Sequence, residues 1–276
     1  SFHPGLEIYN IKQADSNQKL SPIFAPMSKY SHDTIVPFKD SDQSKKEQVA
    51  GMFDQIAFRY DLMNRFLSGG IDMYWRRRAI KELMPLKPQK VLDVATGTAD
   101  VAIMTYKYLK PEKIIGIDIS EGMLQLGRKK VAKLLLNRHI ELETGDSEAI
   151  KYSDNTFDAI TVAFGVRNFE HLEKGLSEMM RVLKPGGKLV VLEFSKPKKQ
   201  WFNGVYNLYM KIIAPKAGQW LSKNKDAYQY LNNSVKAFPE GETFLHILQQ
   251  TGFSDTTLKR LSLGICTIYC GKKNTG

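Results

Sequence analysis

Three short acidic segments carry the chemistry that this sequence offers most directly. Asp93-Val94-Ala95-Thr96-Gly97-Thr98-Ala99-Asp100 follows a short apolar run. Asp118 closes a second apolar run, 25 positions after Asp93, and Gly145-Asp146-Ser147 follows a third. A carboxylate at a strand end repels a pyrophosphate but suits a ligand that carries an ammonium and a sulfonium. A dinucleotide loop would carry G-x-G-x-x-G, and only Gly97 of that set is present. Asp118 has the acceptor capacity to take both hydroxyls of a ribose. Any one of these acids alone reads as well as a helix N-cap, Asp118-Ile119-Ser120 above all. Three at consecutive strand ends point instead to one shared ligand.

The elements that must hold those acids alternate. Residues 90–94, 114–118, 140–144, 157–162 and 188–193 are short apolar runs rich in β-branched residues and read as strands. Residues 101–109, 122–136 and 172–183 read as helices between them, the last closed by the Pro185-Gly186-Gly187 turn. Two further strands are expected near 256–261 and 266–270, after a helix over 243–251. Such alternation predicts an α/β fold: a mostly parallel seven-stranded sheet with helices on both faces and right-handed crossovers. Ligands of such sheets bind at the carboxyl ends of the strands.

Ahead of the sheet, apolar positions from Val49 to Met63 at helical spacing predict a pair of N-terminal helices. Gly69-Gly70 interrupts them, and a further helix over 73–83 carries Trp75 and Arg76-Arg77-Arg78. Residues 41–276 are expected as a single domain, with 41–88 as a helical lid and 197–240 as a helical insert. Residues 1–40 are expected as a disordered extension, with Met27 a candidate natural start. The insert places Trp201, Phe202, Tyr206, Tyr209 and Ile213 beside several lysines. It reads either as a helix packed on the sheet edge or as a greasy mouth near a membrane surface.

The net charge of +11 admits nucleic acid, an anionic membrane surface or an acidic ligand as partner. No nucleic-acid motif is visible, so nucleic acid is not an expected partner. Peripheral contact with a membrane is the expected functional reading of the charge, and a solvated basic surface the plainer one. No apolar run approaches the roughly 20 residues that span a bilayer. The expected location is cytoplasmic, or peripheral at the inner face of a membrane. Cys266 and Cys270 read as two small buried hydrophobes, and no Cys or His set has zinc spacing, so no metal is expected.

The 93–100 loop resembles the cofactor loop of class I methyltransferases. Other segments are similar to a narrower group. Tyr60-Asp61-Leu62-Met63-Asn64-Arg65-Phe66-Leu67-Ser68 with Trp75, and Arg181–Lys188 running on to Glu193-Phe194-Ser195, resemble the two signatures of the menaquinone/ubiquinone biosynthesis C-methyltransferases. Phe164-Gly165-Val166-Arg167-Asn168, Tyr228-Gln229-Tyr230-Leu231 and Phe238-Pro239 match further family segments. The resemblance runs from about Val49 to Gly271. It implies S-adenosyl-L-methionine as methyl donor, held at Thr98, Asp118, Asp146 and Ser147 together with the Asp93 and Gly97 loop, with the acid after the third strand meeting the adenine amino group. It also implies a polyprenylated quinol as acceptor.

Three positions depart from the family pattern. Ala99 stands where a second glycine is usual, and its side chain is expected to keep φ negative there. Asp72 stands where a histidine is usual and is assigned no role. Ala163 replaces a serine, so any side-chain contact there is lost.

Methylating a quinol carbon requires the ring hydroxyl to lose its proton and the resulting phenolate to be stabilised. Arg167 is the first candidate for that electrostatic role and Asn168 for holding a ring oxygen. Tyr60, Asp61 and Asn64 would reach the same pocket from the lid, with Asp61 a candidate proton acceptor. Glu193 reads as structural and is left out of the site. Asp72, the Phe164–Phe169 loop and Gly264-Ile265-Cys266-Thr267 resemble menaquinone-only members, so the expected reaction converts demethylmenaquinol to menaquinol. The alternatives are the benzoquinol intermediate of ubiquinone biosynthesis, another small lipid such as a sterol, and a non-catalytic cofactor-binding protein, which only Ala99 favours. A homodimer is left open.

Overall fold

A computed structural model of the chain describes residues 30–196 and 225–275. The side chains of a few helical residues, Tyr60 and Asn64 among them, lie outside the description, as do the aromatic and lysine positions of 201–223.

Seven strands form one sheet: β1 (Lys90–Val94), β2 (Lys113–Asp118), β3 (Ile140–Thr144), β4 (Phe157–Ala163), β5 (Leu183–Phe194), β6 (Ser254–Leu261) and β7 (Cys266–Lys272). Their order is β3-β2-β1-β4-β5-β7-β6. The first five are parallel, and β7 runs antiparallel to both β5 and β6. The central strands read as unbroken apolar runs because both faces are covered. Period-two alternation divides them. Leu92, Val94, Ile115, Ile117, Ile160 and Val162 enter one core cluster. Val91, Ile114, Ala159, Val190 and Leu192 enter another. Both cysteines are buried and free in β7.

Helices α3 (Asp100–Leu109), α4 (Glu121–Lys133) and α5 (Leu172–Val182) connect the strands, and α6 (Lys225–Ala237) and α7 (Glu242–Gln250) precede β6. The N-terminal region holds one helix before the glycines rather than two. α1 (Lys45–Ser68) is continuous over 24 residues, and α2 (Ile71–Lys81) follows Gly69 and Gly70, both at positive φ. No proline lies between Lys45 and Ser68, and the one glycine there, Gly51, costs only about 1 kcal/mol within a helix, so propagation continues. α1 buries Val49, Met52, Phe53, Ile56 and Ala57 against Met123 of α4 and Ala227 and Tyr230 of α6. Trp75 of α2 is anchored by its Nε1–H, which donates to Ser262 Oγ at 2.7 Å.

Residues 30–40, expected as part of a disordered extension, are placed against this core. His32 is fully buried, and the Tyr30 hydroxyl donates to Glu173 at 2.6 Å. Ile35 and Phe38 pack beside α1. A polar, aperiodic stretch hides such anchors because single apolar residues make no period.

Candidate functional site

The sheet reverses its strand order between β1 and β4, and the carboxyl ends of β1 to β4 open there into one cleft. Asp93, Gly97, Thr98, Asp118, Asp146 and Ser147 all line it, as the sequence led us to expect. Asp61 and Asn168 line it too, and so do Lys46, Arg76 and Phe164, which the sequence did not assign to the site.

Asp93 sits at the floor, 1% exposed, accepting from Thr96 Oγ1 and Thr161 Oγ1 at 2.6 Å each. Burial pushes its carboxyl up to about 6 against those two hydrogen bonds. Asp118 accepts from the Gly97 N–H at 2.8 Å and the Ser120 N–H at 2.9 Å, one on each oxygen. Lone pairs remain on both oxygens for a diol. Burial raises Asp118 likewise to about 6. The N-cap of α4 is Ser120 and not Asp118: its Oγ accepts from the Met123 N–H at 3.2 Å. Asp118 is thereby free to serve a ligand.

The loop between β1 and α3 is held by three residues at positive φ: Ala95 at 52°, Gly97 at 56° and Ala99 at 66°. The expectation that Ala99 keeps φ negative is overturned. Its N–H donates to Thr96 O at 3.0 Å, its carbonyl accepts from Ile103, and its methyl is fully buried in the second cluster. Those contacts fix a conformation that costs an alanine about 1–2 kcal/mol.

α1 lies across this loop set as a strap. Lys46 Nζ meets Asp146 Oδ2 at 2.5 Å and Glu148 at 3.8 Å. Asp54 Oδ1 accepts from Ser120 Oγ at 2.6 Å and the Gly122 N–H at 2.8 Å. Asp61 accepts from Thr98 Oγ1 at 2.6 Å and is ion-paired with Lys130 of α4. Arg65 bonds Asp72 at 2.5 Å and Asp100 at 2.9 Å. Asp72, left without a role in the sequence, thus closes the strap's far end, buried to 3% exposure.

Arg167 is corrected in position. It follows β4 as expected, yet it does not line the cleft. It is 3% exposed, and its Nη1 donates to Phe164 O at 2.5 Å and to Glu193 Oε1 at 2.8 Å. Glu193 is fully buried, and burial raises its carboxyl even against the Arg167 charge. The pair braces the 164–168 loop from beneath. Phe164 is held there at φ 60°. Asn168 faces the cleft instead, and its Oδ1 accepts from the Tyr230 hydroxyl at 3.1 Å. For Tyr60 and Asn64, only the backbone position in α1 is described.

Six carboxylates line the cleft against two cations among the described residues. That balance, with the free acceptors of Asp118, fits a positively charged nucleoside. A model of the ubiE/COQ5 methyltransferase family matches residues 41–273. The chain belongs to that family. A Bacteroides fragilis protein named demethylmenaquinone methyltransferase is 49% identical over 244 residues, 88% of this chain and 99% of its own length. A Geobacter sulfurreducens protein named ubiquinone/menaquinone biosynthesis C-methyltransferase UbiE is 46% identical, covering 83% of this chain and 90% of that one. A solved SAM-dependent methyltransferase from Thermotoga maritima shares the fold, with a TM-score of 0.57 at 20% identity over 82% of this chain and 99% of that one. This ubiE/COQ5 family member is therefore a methyltransferase of the class I fold.

The raised acids give the site a pH signature. A carboxyl whose folded value lies above its ordinary 3.8 favours the folded state below that value, and the contribution is lost as pH rises through about 6. A cationic ligand reverses the preference, because it requires the carboxylates. Affinity for the cofactor should therefore fall about tenfold or more between about pH 7.5 and about pH 5. Calorimetric titration at the two pH values checks this.

Proposed function

We propose that this methyltransferase transfers a methyl group from S-adenosyl-L-methionine to a ring carbon of a polyprenylated quinol, converting demethylmenaquinol to menaquinol. The observation that carries the reading is the single cleft in which the acids of β1, β2 and β3 meet the Phe164–Asn168 loop. The names of the relatives support the acceptor class. S-adenosyl-L-methionine supplies the electrophilic methyl group.

Asp118 holds the ribose hydroxyls, and Asp146 with Ser147 meets the adenine. Asp93 sets the negative floor beneath the cationic part. Asn168, oriented by Tyr230, donates its amide to a ring oxygen; burial raises the Tyr230 hydroxyl, so it stays a donor. Asp61, lying in the cleft between Thr98 and Lys130, takes up the quinol proton, and the density released onto the adjacent carbon makes it nucleophilic. Arg167 positions the loop that carries Asn168 and adds its charge from behind. Tyr60 and Asn64, on the same helix as Asp61, keep from the sequence their assignment to the quinol side of the site.

Contact with an anionic membrane surface fits the charge of +11 and the exposed Ile71 and Tyr74 beside Arg77 on α2. No helix among the described residues is long and apolar enough to cross a membrane.

Substrate choice is tested by incubating the chain in detergent with reduced demethylmenaquinol and, separately, the demethylated benzoquinol, and weighing the products. Methylation of the naphthoquinol is expected. Methylation confined to the benzoquinol would replace the acceptor and keep the chemistry.

A further inference from the structure

Arg76 is buried, cationic and incompletely bonded. Its side chain is 9% exposed, and its Nε has no hydrogen-bond partner among the described residues. A buried guanidinium N–H left unbonded is costly, so such a group calls for an acceptor. The nearest carboxylates do not provide one. Asp72 Oδ2 stands at 3.5 Å from Nε and Asp100 Oδ2 at 3.7 Å from Nη1, while Arg65 takes the shorter bonds to both acids at 2.5 and 2.9 Å. The guanidinium is stacked over the Phe164 ring at 5.5 Å, and both residues line the cleft.

The position along the cleft identifies the ligand group. Asp146 and Asp118 mark the adenosine end, at β3 and β2. The other cleft cation, Lys46, is committed there to Asp146 and Glu148. Arg76 lies at the opposite end, beside β4 and β5, where it also lines a small apolar hollow with Thr161, Ala163 and Val190. With the adenosine held at β2 and β3 as proposed above, the methionine part would lie toward this side. It carries the cofactor's one anionic group, a carboxylate, into a cleft whose six carboxylates repel it.

We propose that Arg76 receives the methionine carboxylate of S-adenosyl-L-methionine and so selects amino-acid-bearing cofactors. The inference rests on the donor being S-adenosyl-L-methionine and not on the identity of the quinol. A guanidinium matches a carboxylate in a two-pronged hydrogen bond, and a lysine supplies the charge without the fork.

The test is calorimetric titration of the full chain with S-adenosyl-L-methionine and with its decarboxylated analogue. The wild-type chain should bind the complete cofactor on the order of 10- to 100-fold more tightly. Arg76→Met should weaken the complete cofactor by about that factor and leave the analogue within about twofold, so the preference disappears. Arg76→Lys should keep part of it, and this variant carries the comparison if the methionine variant does not fold. A wild-type chain that binds both ligands equally overturns the proposal. Equal losses for both ligands in the variants also overturn it, because they mark Arg76 as purely structural. The reading of the acceptor is untouched by either result.

Discussion

Arg167→Met should destabilise the chain by about 3–5 kcal/mol, a large part of the roughly 5–15 kcal/mol that holds a domain together. The reason is Glu193, which is fully buried and bonded to Arg167 through one oxygen only. Among the described residues its Oε2 has no hydrogen-bond partner, and neither has Arg167 Nε. Removing the guanidinium strands a carboxyl in the core, where it must either stay charged at high cost or take up a proton. Arg167→Met combined with Glu193→Gln should return most of the stability, since breaking half of a buried pair costs far more than removing both charges. Urea melts of the wild-type chain and the two variants measure this. A single variant as stable as wild type would show that the pair does not brace the loop. A double variant that folds but transfers no methyl would add a direct electrostatic role to the positioning one.

Asp118→Ala should weaken cofactor binding by about 100-fold or more, because two charge-assisted hydrogen bonds to the ribose diol disappear together. The Gly97 and Ser120 N–H groups also lose their acceptor, which loosens the loop at its tightest turn. Titration with S-adenosylhomocysteine reads the loss directly and avoids turnover. A change of less than about threefold would remove Asp118 from the ribose site. Asp93→Asn should be milder for the ligand: its two hydroxyl bonds from Thr96 and Thr161 keep it turned toward the protein.

The strand ends were legible because an apolar run closed by an acid is a local signal. β1 and β2 end in residues that periodicity alone picks out, and sheet topology then brings Asp93, Asp118 and Asp146 together. The strap was not legible. Lys46 finds Asp146 across 100 positions, and Asp54 finds Ser120 across 66. On sequence alone these are ordinary charges on a helix face. Arg76 hides in a run of three arginines, of which packing buries this one and leaves Arg77 exposed. Arg167 was placed in the correct loop but on the wrong side of it, because its partner Glu193 lies on the next strand and spacing says nothing of that pairing. Ala99 misled for a related reason. Its residue type argues against positive φ, while the closure of the loop onto α3 and the core enforces it. Residues 30–40 show the same limit, since His32 and Phe38 are recognised only by the surfaces they meet.

The most direct test of the account follows one hydrogen. Demethylmenaquinol carrying deuterium at the unsubstituted carbon of its quinol ring is incubated with the chain and S-adenosyl-L-methionine, and the product is weighed. Carbon methylation forms a C–CH₃ bond and expels the ring hydrogen, so the product should gain one methyl and lose the deuterium. A product that gains the methyl but keeps the deuterium would mean transfer to oxygen, and the proposed roles of Asp61 and Asn168 would fall with it.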